Sequence, residues 1–293
     1  MRIALLTLSM ALVATASWAE TAVAEKDAMV YGQKIHYLEA GSGPPLILLH
    51  GTGGEGARWM PQITALSSEF RVIAVDQIGF GQSDKPMTQY HTGVFAGFVA
   101  GLMKSIGVPR AAFAGQSMGA NVVLFLAINY PALVDRIVLV NGGGFRAEAA
   151  APRSGGAPDW HGRQIANAAT LDESREYLNL MYYDDATFVT EKAVEANLAA
   201  RLRSAYTISS MGLAGEKGLG QISEAEVKAI KVPTLLVWGA NDTQSTLASQ
   251  DRLHAAISGS RKVVIDKAGH YPFLEHPDQF NKAVTDFLKS PAS

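Results

Sequence analysis

The residues of this 293-residue sequence that could do chemistry are a serine, an aspartate and a histidine, each of which follows a short apolar segment. Ser117 is the centre of a Gly-Gln-Ser-Met-Gly sequence, between the apolar run Ala111–Ala114 and a long apolar segment that starts at Met118. A strand, a sharp turn and a helix form the setting that exposes a nucleophilic serine, and the two glycines permit close backbone approach. Taken alone, the five residues are also compatible with an ordinary glycine-rich turn.

Asp242 and His270 supply the two partners that a serine nucleophile needs. A serine hydroxyl requires a base within hydrogen-bond distance, and that base requires an acid that orients it. Asp242 follows the apolar run Leu235–Trp238, and His270 follows Val263–Ile265. The carboxyl ends of parallel strands form the edge where open α/β sheets bind ligands. The sequence therefore predicts Ser117 as nucleophile, His270 as base and Asp242 as the acid, although separately the last two could be a structural histidine and a capping aspartate.

A glycine-rich segment at 50–54, His-Gly-Thr-Gly-Gly, predicts an oxyanion hole. It follows another apolar run, and small residues there can turn backbone N–H groups towards a developing negative charge. We expect the N–H groups of Thr52 and Met118 to be the two donors, with Gly51 and Gly53 as alternatives to Thr52. The same residues could instead form only a tight turn.

The apolar runs predict a mostly parallel, doubly wound α/β sheet. Most of them are continuous rather than alternating, which is typical of strands buried on both faces. Helix-length segments separate them, and strand–helix alternation favours a doubly wound sheet. The predicted strands are Ile35–Leu38, Leu46–His50, Val72–Asp76, Ala111–Ala114, Ile137–Val140, Leu235–Trp238 and Val263–Ile265. The predicted helices between and after them are Val94–Ile106, Met118–Asn129, Thr246–Ile257 and Pro277–Leu288.

The alternation stops between Gly144 and Lys231, where helical patterns occur without strand runs. We interpret residues 145–230 as a helical cap inserted into a core made of residues 20–144 and 231–293. The predicted cap helices are Gly162–Ala169, Glu173–Tyr182, Thr190–Tyr206 and Ser223–Ile230. Large apolar side chains of the cap either line an apolar pocket above Ser117 or pack the cap onto the core. They are Trp160, Tyr177, Met181, Tyr182, Tyr183, Phe188, Tyr206 and Met211.

The first 19 residues have the features of a secretory signal peptide. Arg2 is the only charged residue before Glu20, the segment Ile3–Val13 is apolar, and Ser17 and Ala19 are small residues at the positions read by a signal peptidase. The apolar segment is too short to span a membrane. We therefore expect cleavage after Ala19 and a periplasmic or secreted protein.

Composition narrows the chemistry further. The absence of cysteine excludes cysteine nucleophiles and thiolate metal sites, and the net charge of −2 with no basic stripe gives no support for nucleic-acid binding. The histidines are not spaced as a metal site, and no dinucleotide-type glycine pattern is present. We expect a small-molecule substrate, no cofactor, no metal, no nucleic-acid partner and no stable membrane insertion, and the oligomeric state stays open.

Over roughly residues 30–290 the chain resembles the α/β-hydrolase superfamily. The segments that carry the resemblance are His50–Gly53, Asp76–Asp84, Gly115–Gly119, Gly239–Asp242 and Gly269–Pro277. The order serine, aspartate, histidine is also that of the superfamily. The resemblance implies an α/β-hydrolase fold with a cap and the same three catalytic roles. Epoxide hydrolases and haloalkane dehalogenases share two of these segments but use an aspartate nucleophile, so Ser117 argues against both.

Within the superfamily, the meta-cleavage-product hydrolases, which hydrolyse C–C bonds, are similar in the Ser-Met-Gly sequence and the capped layout. They usually carry asparagine before the serine and tryptophan after the histidine, where this chain has Gln116 and Tyr271. They also use a cap arginine, but the corresponding segment here is Ala196-Asn197, and the arginines at 201 and 203 come later. The sequence therefore departs from the pattern of a C–C hydrolase.

The sequence favours an exported serine hydrolase that cleaves a small to medium, largely apolar carboxylic ester, thioester or lactone through an acyl-enzyme on Ser117. The main alternative is a C–C bond hydrolase with the same three residues. A ligand-binding homologue without turnover and a perhydrolase or cofactor-free haloperoxidase are the others. A complete set of three catalytic residues argues against a pure binding protein, and the large cap argues against a perhydrolase.

Overall fold

An eight-stranded sheet forms the centre of the protein. The computed structural model describes residues 22–145, 170–202 and 222–291. The strands, labelled β1 to β8 in chain order, are Ala24–Val30, Gln33–Ala40, Pro45–Leu49, Arg71–Val75, Ala111–Gln116, Val134–Val140, Thr234–Gly239 and Arg261–Ile265. Their spatial order is β1-β2-β4-β3-β5-β6-β7-β8. Strands β3 to β8 pair in parallel, and β2 pairs antiparallel with both β1 and β4. The predicted α/β-hydrolase fold is confirmed.

The strand order reverses between β3 and β5. From β3 the chain passes to β4 on one side, and it returns to add β5 on the other side. Connections leave in opposite directions at such a point, so a crevice opens beyond the carboxyl ends of the two strands. Gly51 and Thr52 follow β3 and Ser117 follows β5, so topology alone brings the predicted oxyanion loop next to the predicted nucleophile.

Helices cover both faces of the sheet, as expected for parallel strands that carry apolar side chains on both sides. The helices, labelled α1 to α10, are Met60–Leu66, Thr92–Ser105, Met118–Asn129, Leu171–Met181, Asp185–Phe188, Glu191–Arg201, Glu224–Lys228, Leu247–Ala256, Pro272–Glu275 and Pro277–Lys289. Helices α2, α3, α7 and α8 pack on one face, and α1, α9 and α10 pack on the other. Helix α3, which follows Ser117, is buried along most of its length, as its almost wholly apolar sequence predicts.

The strand β1 was not predicted, and its position in the sheet explains why. Its sequence, Ala-Glu-Lys-Asp-Ala-Met-Val, carries charges, and only its last residue is buried. An edge strand that pairs on one side gains its stability from backbone hydrogen bonds, so it needs no apolar run. The seven predicted strands are all present, and their bounds differ from the predicted ones by a few residues.

Helices α4, α5 and α6 lie in the chain between β6 and β7, within the segment predicted as a cap. Thr170 caps α4 through a capping box with Glu173, and Thr190 accepts the N–H of Ala193 at the start of α6. These caps satisfy N–H groups that a helix leaves unpaired at its start. The predicted helix Gly162–Ala169 and the side chains of Trp160, Tyr206 and Met211 lie outside the described residues. Within the described residues, no helix is both long enough and apolar enough to cross a membrane.

Candidate active site

Ser117 lies at a strained turn between β5 and α3. Its backbone angles, φ 53° and ψ −114°, are unusual for a residue with a side chain, and the backbone is held by a hydrogen bond from the Ser117 N–H to Val140 O, 3.0 Å. The turn requires glycine at position 119. A Cβ there would lie 2.2 Å from the carbonyl oxygen of Leu49, which is too close for any other residue. The serine is half-buried and faces a cavity, which is the geometry of a nucleophile elbow.

Asp242 and His270 are joined by a hydrogen bond of 2.8 Å between Asp242 Oδ2 and His270 Nδ1. The Asp242 side chain is fully buried and also accepts hydrogen bonds from Asn141 Nδ2 at 2.6 Å and from the N–H of Gln244 at 2.8 Å. Burial alone would raise the pKa of Asp242, but the hydrogen bonds from His270 and Asn141 outweigh burial and lower it. The carboxylate is therefore ionised and places the proton of His270 on Nδ1.

Asn141 is a site residue that the sequence analysis missed. It directly follows β6 with a positive φ of 44°, and its side chain is wholly buried. Besides Asp242, its amide donates to Gly269 O at 3.3 Å and accepts the N–H of Gly239 at 3.2 Å. Asn141 thus connects the ends of β6 and β7 with the loop that carries His270. Asn141 directly follows the predicted strand Ile137–Val140, and this position was the feature of the sequence that could have indicated a site residue.

Ser117 and His270 line one cavity of about 360 Å³. Gly51 and Thr52 line the same cavity, whereas Gly53 lines a neighbouring one. Met118 is the first residue of α3, where an N–H group has no acceptor within the helix. The backbone N–H groups of Met118 and of Thr52, with Gly51 as the alternative, thus stay the predicted donors to an oxyanion.

The sequence model of the α/β hydrolase fold family matches residues 44–277. This chain belongs to the α/β hydrolase fold family. A curated relative, 2-hydroxy-6-oxo-6-phenylhexa-2,4-dienoate hydrolase of Comamonas testosteroni, is 30% identical over 279 residues, which cover 91% of this chain and 94% of the relative.

Solved structures of other α/β hydrolases superpose on the protein. The 2-hydroxy-6-oxo-6-phenylhexa-2,4-dienoate hydrolase of Rhodococcus sp. strain RHA1 has a TM-score of 0.80 at 26% identity, and the match covers 92% of this chain and all of that one (100%). The enol-lactonase of Burkholderia xenovorans LB400 has a TM-score of 0.76 at 27% identity and covers 90% of this chain and 100% of its own. Proteins similar to this hydrolase thus include enzymes named for different bonds.

The cavity of this α/β hydrolase is more polar than the sequence analysis expected. Among the described residues that line it, Tyr177 and Met181 come from α4, in the segment predicted as a cap, but most are glycines or polar residues. Tyr182 and Phe188 line the neighbouring cavity, and Tyr183 is exposed (46%). Tyr183 lines neither of the two cavities. The polar lining comes from Gln116, Asn121, Asn141, Gln244 and Ser245.

The neighbouring cavity has a volume of about 290 Å³, shares Thr52 and Tyr177 with the first, and is lined by Arg58 and Arg201. Arg58 Nη1 donates to the hydroxyl of Tyr271 at 3.2 Å, and its guanidinium lies 5.0 Å from the centre of that ring. No carboxylate among the described residues lies within salt-bridge distance of Arg58. Burial raises the pKa of Tyr271 well above its ordinary value, so that hydroxyl stays protonated.

The second arginine of this cavity, Arg201, is the last residue of α6, in the segment predicted as a cap. The Arg201 guanidinium lies 4.0 Å from the ring centre of Tyr177, and its Nε donates to Asn197 Oδ1 at 2.7 Å. The sequence analysis noted that Arg201 follows Ala196-Asn197 by a turn, and the structure places Asn197 and Arg201 in the same cavity. Two arginines thus line one cavity next to the cavity of Ser117 and His270. Arg58 was not predicted as a site residue because nothing in its local sequence indicates it.

His50 fixes the backbone of the predicted oxyanion loop. The N–H of Gln77 donates to His50 Nε2 at 3.1 Å, so Nε2 carries no proton and Nδ1–H donates to Gly51 O at 2.7 Å. Burial lowers the pKa of His50 to about 4. A proton on Nε2 would face the N–H of Gln77, so this loop geometry requires the neutral form of His50 with its proton on Nδ1.

The buried His50 should make folding stability depend on pH. The unfolded state binds a proton near pH 6.5 and the folded state only near pH 4, so the contribution is complete above about pH 6.5 and is lost as the pH falls to about 4. The loss amounts to about 3 kcal/mol. Urea unfolding of wild type and His50→Gln at pH 7.5, 5.5 and 4.5 measures it. Equal pH slopes for the two proteins would contradict the assignment.

Proposed function

We propose that this chain is a serine hydrolase that cleaves a C–C bond beside a ketone in a small carboxylate-bearing substrate, through an acyl-enzyme on Ser117. The observation that carries the substrate class is Arg58, a cation without a carboxylate partner among the described residues, in a cavity adjoining that of Ser117. A guanidinium in such a place binds a substrate carboxylate well, because charge-assisted hydrogen bonds are strong where water is scarce.

The geometry supports acyl transfer in two steps. His270, oriented by Asp242, takes the proton of Ser117 as the hydroxyl attacks the carbonyl carbon. The oxyanion that forms accepts hydrogen bonds from the N–H of Met118 and of Thr52 or Gly51. Water activated by His270 then attacks the acyl-enzyme and releases a carboxylic acid, and Ser117 recovers its proton.

In the C–C reaction, the bond between the ketone carbon and the neighbouring carbon breaks in the first step. In a 2-hydroxydienoate, the hydroxyl proton first moves to the carbon beside the ketone, because the electron pair of the broken bond can pass into a conjugated enolate only when that carbon is saturated. After the bond breaks, His270 supplies a proton to the enolate oxygen of the leaving fragment. The overall change is the addition of one water: the ketone carbon becomes a carboxylic acid and the other carbon gains hydrogen. No oxidation or reduction takes place.

The names of the similar proteins support a substrate of this class. A 2-hydroxy-6-oxo-6-phenylhexa-2,4-dienoate has a carboxylate at one end and a ketone at the sixth carbon. The two cavities are adjacent through Thr52 and Tyr177, so a ketone at Ser117 and a carboxylate at Arg58 fit one elongated molecule. In this hypothesis Arg58 takes the task that a cap arginine has in similar enzymes.

An ester or lactone substrate is the second candidate, and two residues favour it. Gln116 and Tyr271 flank Ser117 and His270 where meta-cleavage-product hydrolases usually carry asparagine and tryptophan. The enol-lactonase of Burkholderia xenovorans is about as similar in structure as the C–C hydrolases. The same three residues would cleave an ester with an alcohol as leaving group.

The catalytic roles are tested by covalent labelling. A fluorophosphonate should add once to the wild-type protein and not to Ser117→Ala, which loses only a hydroxyl at the turn and should fold normally. Asp242→Asn should lower the labelling rate by about 10⁴-fold, because the amide favours the wrong tautomer of His270. Intact mass spectrometry measures both. An adduct that persists in Ser117→Ala would remove Ser117 from the mechanism.

The substrate class is tested with a matched pair: the dienoate acid named above and its methyl ester at the carboxylate. Arg58→Gln should lower kcat/KM for the acid by about 10²-fold, and for the neutral ester by little, because only the acid loses a charge-assisted hydrogen bond. Arg110→Gln is the control, because Arg110 directly precedes β5 and so lies at the amino ends of the parallel strands, away from Ser117. Equal losses for acid and ester would refute the role of Arg58. Turnover of 4-nitrophenyl esters or lactones with no loss of the dienoate would establish the second candidate.

Export is part of the proposal. The N-terminal segment should direct the chain out of the cytoplasm and be removed after Ala19, because its charge, apolar length and small residues match a signal peptide. Expression of the full chain in a Gram-negative host, cell fractionation and N-terminal sequencing should give an exported protein that begins at Glu20. Ala19→Phe should block processing. Full-length protein confined to the cytoplasm would contradict export.

A further inference from the structure

Glu275, the last residue of α9, has its carboxylate between the loop of His270 and the cap. Its Oε1 accepts the N–H of Gly269 at 2.7 Å, one residue before His270. Its Oε2 accepts the N–H of Tyr183 at 2.7 Å and of Asp184 at 3.3 Å, in the link between α4 and α5. One side chain therefore holds the backbone of two separate segments, and the proposed function gives it no role.

The loop of His270 and the end of α4 also meet directly. The N–H of His270 donates to Met181 O at 2.7 Å. A Cβ on Gly269 would lie 2.6 Å from Met181 O, so the two backbones are in contact with no space for a side chain between them. Met181 lines the catalytic cavity. A shift of the cap at this point would move the backbone of His270.

The remaining polar groups of the His270 loop are bonded to the core. The carbonyl of His270 accepts from Gln116 Nε2 at 3.2 Å, that of Gly269 accepts from Asn141 at 3.3 Å, and that of Ala268 accepts the N–H of Asn241 at 2.9 Å. The N–H groups of Gly269 and His270 point the other way, to Glu275 and to the cap. The loop is thus held to the core through its carbonyls and to the cap through its N–H groups.

We propose that Glu275 is a positioning residue that fixes the cap and the catalytic histidine in one common geometry. This inference rests on the proposed role of His270. When the carboxylate accepts all three N–H groups, the cap wall of the cavity at Met181 and the imidazole of His270 are set together. Loss of one side of the bridge lets the cap segment move relative to Ser117, which affects substrate binding and proton transfer at once.

The environment of Glu275 is consistent with this role. Desolvation raises the pKa of Glu275, while the hydrogen bonds from Gly269, Tyr183 and Asp184 oppose that effect. The half-buried carboxylate is held in this position by backbone N–H groups of both segments.

The test uses Glu275→Gln, which keeps the shape but has one acceptor oxygen in place of two. Glu173→Gln is the matched control, because it weakens the capping box at the other end of the same cap helix, α4. The measurements are made well below the melting temperature. They are the rate of fluorophosphonate labelling, kcat and KM for whichever of the dienoate, ester and lactone substrates named above is turned over fastest, and the low-field proton resonance of His270 Nδ1–H.

We expect Glu275→Gln to slow labelling by about tenfold, the effect of one lost hydrogen bond. It should lower kcat while raising KM, and broaden or shift the His270 resonance, whereas Glu173→Gln changes none of these. If Glu275→Gln does not fold, Glu275→Asp, which keeps both acceptors on a shorter side chain, is read in the same way. A folded variant with wild-type labelling and an unchanged resonance would overturn the proposal. Unlabelled wild-type protein would refute the nucleophile instead, and the resonance would still decide the role of Glu275.

Discussion

The hydrogen-bonded carboxylate of Asp242 is the constraint on which the site depends. A charged group without solvent exposure is stable only when donors replace its water, and its donors are the His270 ring, the amide of Asn141 and the N–H of Gln244. These groups follow three adjacent strands, β6, β7 and β8. The carboxylate therefore ties three strand ends together, and the register of the parallel sheet determines whether His270 can face Ser117.

The second constraint is the reversal of strand order at β3 and β5. It places the oxyanion loop and Ser117 on neighbouring strands, while His50 and the glycines keep both turns in shapes that ordinary residues avoid. The neutral His50 holds the loop through Gly51 O, and Gly119 allows α3 to approach β3. The proposed nucleophile, the proposed oxyanion donors and the proposed base thus come from separate strand ends that only the folded sheet brings together.

The sequence predicted what is encoded locally. Ser117, Asp242 and His270 each follow an apolar strand, so their place at the edge of the sheet could be inferred without knowing the contacts. Asn141 also follows a predicted strand, so its place could be inferred in this way, but its role could not, because its partner Asp242 lies 101 residues further along the chain. Glu275 follows no strand directly, and its partner Tyr183 is 92 residues away. The strand β1 was not predicted, because an exposed edge strand needs no apolar pattern in its sequence.

The polarity of the cavities bears on what the enzyme binds. An apolar pocket was expected from the aromatic residues of the cap, yet Tyr177 and Tyr271 stack with arginines rather than forming an apolar wall. A guanidinium that lies over an aromatic ring keeps its charge. Its attraction to the ring is weaker than the charge-assisted hydrogen bonds that it would form with a carboxylate. Arg58 is therefore still able to bind an anion. A substrate carboxylate would replace the water that the guanidinium loses with hydrogen bonds, whereas an alkyl chain would displace that water without replacing its hydrogen bonds. The balance of desolvation thus favours an acidic substrate over a wholly apolar one.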